Sequence, residues 1–204
     1  MARCYSEAMP KRQPSRRMTD LPRLWLLSDA RSDTVLERAL ARLPRGSGFV
    51  FRHYHLPKAE RLARYHELAR LARRRGHHVM LSGTPREARR WRADGAYGTS
   101  AALARGPALF RLVTVHSMRE LRRAHRADAV MLSPVFPTRS HPGGMTLGPL
   151  RFRRIAAHAR VPIIALGGMN PDRARRLKHA AWAAIDGLAG RECDQSTRRI
   201  PDDS

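Results

Sequence analysis

Short apolar runs alternate with amphipathic segments along the chain from Leu24 to Ile185. The runs Leu24–Leu27, Phe49–Phe51, His78–Leu81, Arg111–Val115, Ala129–Leu132 and Ile163–Leu166 are long enough for buried strands and too short for helices. A very short strand within Asp94–Gly98 and a weak one over Trp182–Ile185 bring the number to eight. Between the runs, apolar residues fall at helical spacing. Val35, Leu36, Ala39, Leu40 and Leu43 share a face, with Ser32 or Asp33 as the cap and Gly46 and Gly48 as breakers. Lys58–Arg74 carries Leu62, Tyr65, Leu68, Ala69 and Leu71 or Ala72 on one side and ends at Gly76. Thr84 and Pro85 open a helix to Arg92, and Ala101–Arg105 allows barely more than one turn. Ser117 and Glu120 form a capping box for a helix to Arg126, and Leu150–His158 and Asp172–His179 supply two more.

Strict alternation of short strands with helices predicts parallel βα units. Eight units within residues 21–190 predict an α/β fold, a compact (β/α)₈ TIM barrel below the usual size; a doubly wound sheet is the alternative. Residues 1–20 read as a disordered basic leader, and Met18, just before the patterned sequence, is an alternative start to Met1. Residues 191–204 read as a polar tail.

Charge complicates this picture only in part. The formal charge of +23 is compatible with nucleic acid, acidic lipid or an anionic substrate. Lys11, Lys58 and Lys178 are the only lysines; the rest is arginine spread over most helices, densest at 86–92, 119–126 and 173–176. That distribution fits solvated helix faces better than a dedicated stripe, and no nucleic-acid motif accompanies it. Cys4 and Cys193 lie in the tails without ligand spacing or a disulfide framework. No apolar run approaches the roughly 18 residues of a membrane span, and no secretory core is present. A cytoplasmic location follows as the expectation.

Candidate chemistry centres on Val161–Asn170 and the basic segment after it. Gly167 and Gly168 permit a sharp turn and close backbone approach, Asn170 is a plausible N-cap, and Pro171 suits the first helical position. Strand, glycine turn and helix start together can aim N–H groups at an anion; an ordinary αβ turn is the alternative. In a barrel, the ends of strands seven and eight are the customary phosphate site. His53 and His55 share one face of an extended segment and His77–His78 adds a second pair, but no carboxylate or cysteine stands at ligand spacing. Asp29 and Asp186, ending strands one and eight, read as arginine partners, and Trp25, Trp91 and Trp182 as core or helix-packing residues.

In order and spacing these segments resemble the family of thiamine phosphate synthase and its close relative TenI, which share a small (β/α)₈ fold. Ala127-Asp-Ala-Val-Met-Leu-Ser-Pro-Val-Phe-Pro-Thr138 is similar to the family's "ADYI-x-x-GPVFPT", and Val161-Pro-Ile-Ile-Ala-Leu-Gly-Gly-Met169 to its "PVVAIGGI". Leu24–Asp29 resembles "LYLITD", Ala93–Tyr97 resembles "ADGVH", and Thr114–Ser117 resembles "S-x-H-S". The resemblance implies small phosphorylated substrates: the synthase joins a pyrimidine pyrophosphate to a thiazole phosphate and releases pyrophosphate. It implies that Gly167 and Gly168, helped by Ser133 and Thr138, hold the thiazole phosphate. Arg52, matching the arginine of "QLREK", would hold pyrophosphate with Thr114 and Ser140, and His141 stands in a lysine's place.

The resemblance also implies Mg²⁺ held by carboxylates, but those positions differ. Ser82-Gly83 stands where the family reads "ND", and Gly98–Ala102 lacks the acidic residue that follows "HLGQ". Tyr54 replaces the lysine of "REK", and Ile185-Asp186-Gly187 replaces a serine region. No metal ligand is therefore assigned. TenI catalyses tautomerisation of a thiazole carboxylate phosphate, which needs no metal; there His116 would move the proton, although a histidine at this place occurs in both branches. A histidine capping the next helix or packed under a loop is the alternative role. A phosphate-binding regulatory barrel and a nucleic-acid binder are the remaining readings, and a homo-oligomer is compatible with all of them.

Overall fold

A computed structural model describes residues 20–138, 143–185 and 188. Eight strands, β1 (Leu24–Leu27), β2 (Gly48–Phe51), β3 (His78–Ser82), β4 (Gly95–Gly98), β5 (Phe110–Val115), β6 (Ala129–Leu132), β7 (Ile163–Ala165) and β8 (Trp182–Ala184), close into a barrel in sequence order. Every pairing is parallel, and β8 meets β1 with Trp182 opposite Leu24. Helices α1 (Leu36–Arg42), α2 (Lys58–Arg74), α3 (Pro85–Arg90), α4 (Met118–Arg123), α5 (Gly148–Ala157) and α6 (Pro171–Leu177) connect them. This is the (β/α)₈ architecture, not a doubly wound sheet. Residues 1–19 of the leader, the tail and both cysteines lie outside the described residues, and among those described no helix is long and apolar enough to cross a membrane.

The period-two alternation of the strands sorts the core into two shells. Trp25, Leu27, Val50, Met80, Leu112, Met131 and Ile164 pack together inside the barrel. Their neighbours Leu26, Phe49, Phe51, Val79, Leu81, Val113, Val130 and Ala165 pack outward against Leu40, Tyr65, Leu68, Trp91 and Phe152. Trp25 and Trp91 are thus core residues and Trp182 packs partly buried against the outer shell, as their spread along the sequence suggested.

Several local expectations need correction. Gly48 does not merely break a helix: it opens β2, and a β-carbon there would overlap the Trp25 indole ring. That indole fills the barrel interior and donates to the Pro22 carbonyl at 2.7 Å. Neither Ser32 nor Asp33 caps α1; a 3₁₀ segment (Ala30–Val35), capped by Asp29, precedes it. The Asp33 carboxylate instead holds His53 and Arg64. Ser117 caps α4 as expected, but the Glu120 carboxylate reaches back to the His116 N–H at 2.9 Å, one residue beyond the usual partner. His53 and His55 sit on a turn rather than an extended segment, and His53 has φ = +38°.

The fourth unit has no helix among the described residues. Arginine does that helix's work: the Arg111 guanidinium donates to the carbonyls of Leu103 (2.8 Å), Pro107 (3.2 Å) and Leu109 (3.5 Å). Arg126 adds a bond to the Ala104 carbonyl. Elsewhere Arg73 and Arg153 bond the Arg92 and Leu177 carbonyls, and Arg64 gathers Asp33, Glu37 and Glu67. These guanidiniums satisfy backbone oxygens that would otherwise lack a donor at loop ends.

Candidate functional site

The inward positions change character at the strand C-termini. Continuing the parity of Val50, Leu112, Met131 and Ile164 by one step brings in Arg52, Thr114, Ser133 and Leu166, and His116 and Ile185 follow in the same way. They line a cavity of about 810 Å³ at the barrel mouth, together with Tyr97, Thr138 and Gly167. This is the end of the barrel where such folds carry chemistry.

The glycine turn follows β7 with Gly167 at φ = +94° and Gly168 at φ = +60°. A β-carbon on Gly167 would lie 2.5 Å from Pro134 Cα, and one on Gly168 would collide with the Pro137 carbonyl oxygen. The glycines are therefore required by a neighbouring backbone: Val135 N–H donates to the Leu166 carbonyl (2.9 Å) and Phe136 N–H to that of Gly167 (3.1 Å). Arg173, lying 5.0 Å over the Phe136 ring, donates to the Gly168 carbonyl. Among the described residues neither the Gly167 nor the Gly168 N–H has an acceptor. Asn170 caps α6 through the Arg173 N–H at 2.9 Å, as its sequence position predicts.

Across β8 and β1 from this turn stands Arg52. One terminal nitrogen of its guanidinium donates to Asp29 at 2.7 Å, while its Nε is buried with no partner among the described residues. Asp29 also binds Arg31 (2.7 Å), so the expectation that it serves arginine holds; partial burial works to raise its carboxyl, but Arg31 and Arg52 outweigh this and leave it below the ordinary range. Asp186 lies outside the described residues.

The Arg52 backbone N–H donates to Ser28 Oγ at 2.8 Å, and Ser28 Oγ lies 2.8 Å from His53 Nδ1. His53 Nε2 in turn lies 2.8 Å from Asp33. Burial pushes His53 below its ordinary range, and the Asp33 interaction only partly opposes it. His77, also buried, is displaced downward by the same cause. Both imidazoles stay neutral in the fold at a pH where the unfolded chain takes up protons. Stability is therefore expected to be fully present above about pH 6.5 and to fall on acidification, by up to about 1.4 kcal/mol per pH unit for each proton. Denaturant midpoints measured from pH 7.5 to 5 check this; a flat profile contradicts it.

On the far wall, His116 Nδ1 lies 2.9 Å from the Ser133 carbonyl oxygen and 3.2 Å from its hydroxyl. A carbonyl only accepts, so in the neutral ring Nδ1 carries the proton and Nε2 offers a lone pair; Nε2 has no partner among the described residues. The imidazole is exposed, so His116 is neither packed under a loop nor the cap of α4. Beside it, buried Tyr97 hydrogen-bonds Thr114, and burial holds the phenol above its ordinary range. Tyr97 is thus a neutral donor.

The positions that would hold a metal do not suit one. A hard divalent cation takes several carboxylate or carbonyl oxygens. Here Tyr54 hydrogen-bonds Ser82 Oγ, Arg61 donates to the Ser82 carbonyl (2.6 Å) and Glu87 (3.3 Å), and Asp29 is committed to two arginines. Among the described residues no group of three histidine, cysteine or acidic side chains converges.

The fold thus brings Arg52, Thr114, His116, Ser133, Thr138 and Gly167 to one cavity, with Gly168 completing the turn. Ser140 and His141 lie outside the described residues. Sequence reading overlooked Tyr97 as a lining group and Arg151, an exposed cation at the start of α5 that also lines the cavity. The parity of β4 could have exposed Tyr97; nothing local marks Arg151.

Comparison with known proteins agrees with this fold. The profile of the family described as thiamine monophosphate synthase matches residues 24–190. A thiamine-phosphate synthase of Pyrococcus furiosus is 31% identical over 78 residues, 37% of this chain and 36% of its own length. A putative thiamine-phosphate synthase 2 of Aquifex aeolicus is 33% identical over 58 residues, 28% of this chain and 31% of its own. The matched segments span about a third of these relatives. The solved thiamine phosphate pyrophosphorylase from Pyrococcus furiosus superposes with a TM-score of 0.69 at 24% identity, covering 83% of this chain and 88% of that one, a likeness of fold. With a family profile spanning the whole barrel, the chain belongs to the thiamine monophosphate synthase family.

Proposed function

We propose that the barrel joins a pyrimidine pyrophosphate to a thiazole phosphate and releases pyrophosphate. The observation that carries this reading is one cavity lined on one side by the Gly167 turn, whose amides have no acceptor among the described residues, and on the other by Arg52. Two anionic ends need two such places. The glycine turn takes the phosphate through backbone N–H groups, with Arg173 adding positive charge behind it. Arg52 takes the pyrophosphate. As the bond to pyrophosphate breaks, the leaving oxygen carries off the electron pair, and a fixed guanidinium stabilises that charge. The Tyr97 phenol and Thr114 hydroxyl supply neutral donors beside it. Mg²⁺, which the family implies, is not assigned a place, and the leaving charge is left to arginine. Calorimetric titration of the two phosphates tests the assignment: Arg52→Ala should lose the pyrophosphate and keep the thiazole phosphate. Loss of neither sinks it.

One observation favours a second reading. The His116 Nε2 lone pair borders the cavity, fixed by the Ser133 carbonyl, as a tautomerase needs for moving a proton. Condensation needs no such base. His116→Gln should therefore lower synthase turnover by less than about tenfold but lower any thiazole tautomerisation by about 10²-fold or more. Proton exchange followed by NMR separates the two.

A further inference from the structure

Buried beneath the mouth is a hydrogen-bonded chain that the condensation does not use. Ser28 and His53 are 0% and 1% exposed, so this is no nucleophile–base pair open to substrate. Its proton arrangement is determined. Asp33 only accepts, so neutral His53 donates from Nε2; Nδ1 then accepts from the Ser28 hydroxyl, whose oxygen accepts the Arg52 N–H. Arg64 anchors the far end, donating to Asp33 from Nε at 3.0 Å and from a terminal nitrogen at 2.8 Å.

Two further features converge on His53. Its φ of +38° lies in the left-handed region, which a buried histidine adopts only where its surroundings over-determine it. Its ring stacks on Phe51 with centroids 4.6 Å apart and planes 3° from parallel. Arg52 sits between these two stacked residues. It is held at its N–H by Ser28, at its carbonyl by Arg61 Nε (3.0 Å) and at its guanidinium by Asp29.

We propose that His53 is a positioning residue: the chain Asp33–His53–Ser28 sets the backbone of Arg52 so that its guanidinium faces the pyrophosphate. This rests on the reading of Arg52 as the pyrophosphate contact. The chain fixes one end of the cavity and leaves the glycine turn untouched, which separates it from a general structural role.

The test measures affinity for inorganic pyrophosphate and for a thiazole phosphate, side by side, in full-length variants whose folding is verified by thermal melts. Ser28→Ala and His53→Gly are expected to weaken pyrophosphate binding about tenfold, as for one mis-set charge-assisted bond, and to leave the thiazole phosphate unchanged. Glycine relieves the left-handed strain while removing the chain, so its deficit cannot come from strain. His53→Asn, which tolerates that conformation and can accept from Ser28, should restore much of the affinity. Unchanged pyrophosphate affinity in Ser28→Ala and His53→Gly, while Arg52→Ala loses it, overturns the positioning role alone. A parallel loss of both ligands overturns it as well. Unchanged affinity in Arg52→Ala overturns both this inference and the reading beneath it.

Discussion

Replacing Arg52 by alanine is expected to lower kcat/KM for condensation by on the order of 10²–10³-fold, the scale lost with one preorganised donor to a developing anion. The guanidinium projects from the end of β2 on the inward parity, and Asp29 holds one of its nitrogens at 2.7 Å. Arg31 shares that carboxylate, so the charge of Arg52 is only partly neutralised when an anion arrives. Arg52→Lys should recover little, because an ammonium bound to Asp29 has no second, fixed nitrogen to offer. Steady-state assays varying each substrate in turn check both variants; a kcat/KM within threefold of wild type for Arg52→Ala contradicts the assignment.

Gly168→Ala is expected to weaken thiazole phosphate binding by about tenfold or more and to destabilise the fold by about 1–3 kcal/mol. Both effects have the same origin. At φ = +60° alanine is strained, and its β-carbon meets the carbonyl oxygens of Pro137 and Phe136, so the turn and the loop after β6 must separate. That loop carries Ser133 and Thr138 into the cavity. Gly46→Ala is the control, because Gly46 also has positive φ, at +77°, but faces open space. It should lose stability alone. Calorimetry and thermal melts on both variants separate the two contributions; equal ligand affinity in Gly168→Ala and wild type removes the cradle.

The barrel was legible because each strand is short, apolar and bounded by turn residues, and only alternation with helices fits so many of them. Where reading failed, the cause was tertiary. Gly48 looks like a helix breaker until Trp25 is placed over it, and Asp33 looks like a cap until His53 and Arg64 claim its carboxylate. Ala101–Arg105 was read as barely more than one turn, and among the described residues no helix forms there; the Arg111 bonds to Leu103 and Pro107 that hold the segment were not legible. At the mouth, Gly167 was recognisable as a glycine turn after an apolar run, and Ser133, His116 and Arg52 through the family resemblance of their segments. The Ser28–His53 bond was not, because it joins residues 25 apart in the chain. Tyr54 was legible as a replaced lysine, but its bond to Ser82 emerges only from the pairing of neighbouring strands.

The most direct test of the central claim follows ³¹P NMR signals while the protein is incubated with a pyrimidine pyrophosphate and a thiazole phosphate, with and without Mg²⁺. The account predicts that free pyrophosphate and the condensed phosphate ester appear together, and that both fail to appear with Arg52→Ala. Unchanged spectra from the wild-type protein in both conditions, with neither phosphate bound, would contradict it.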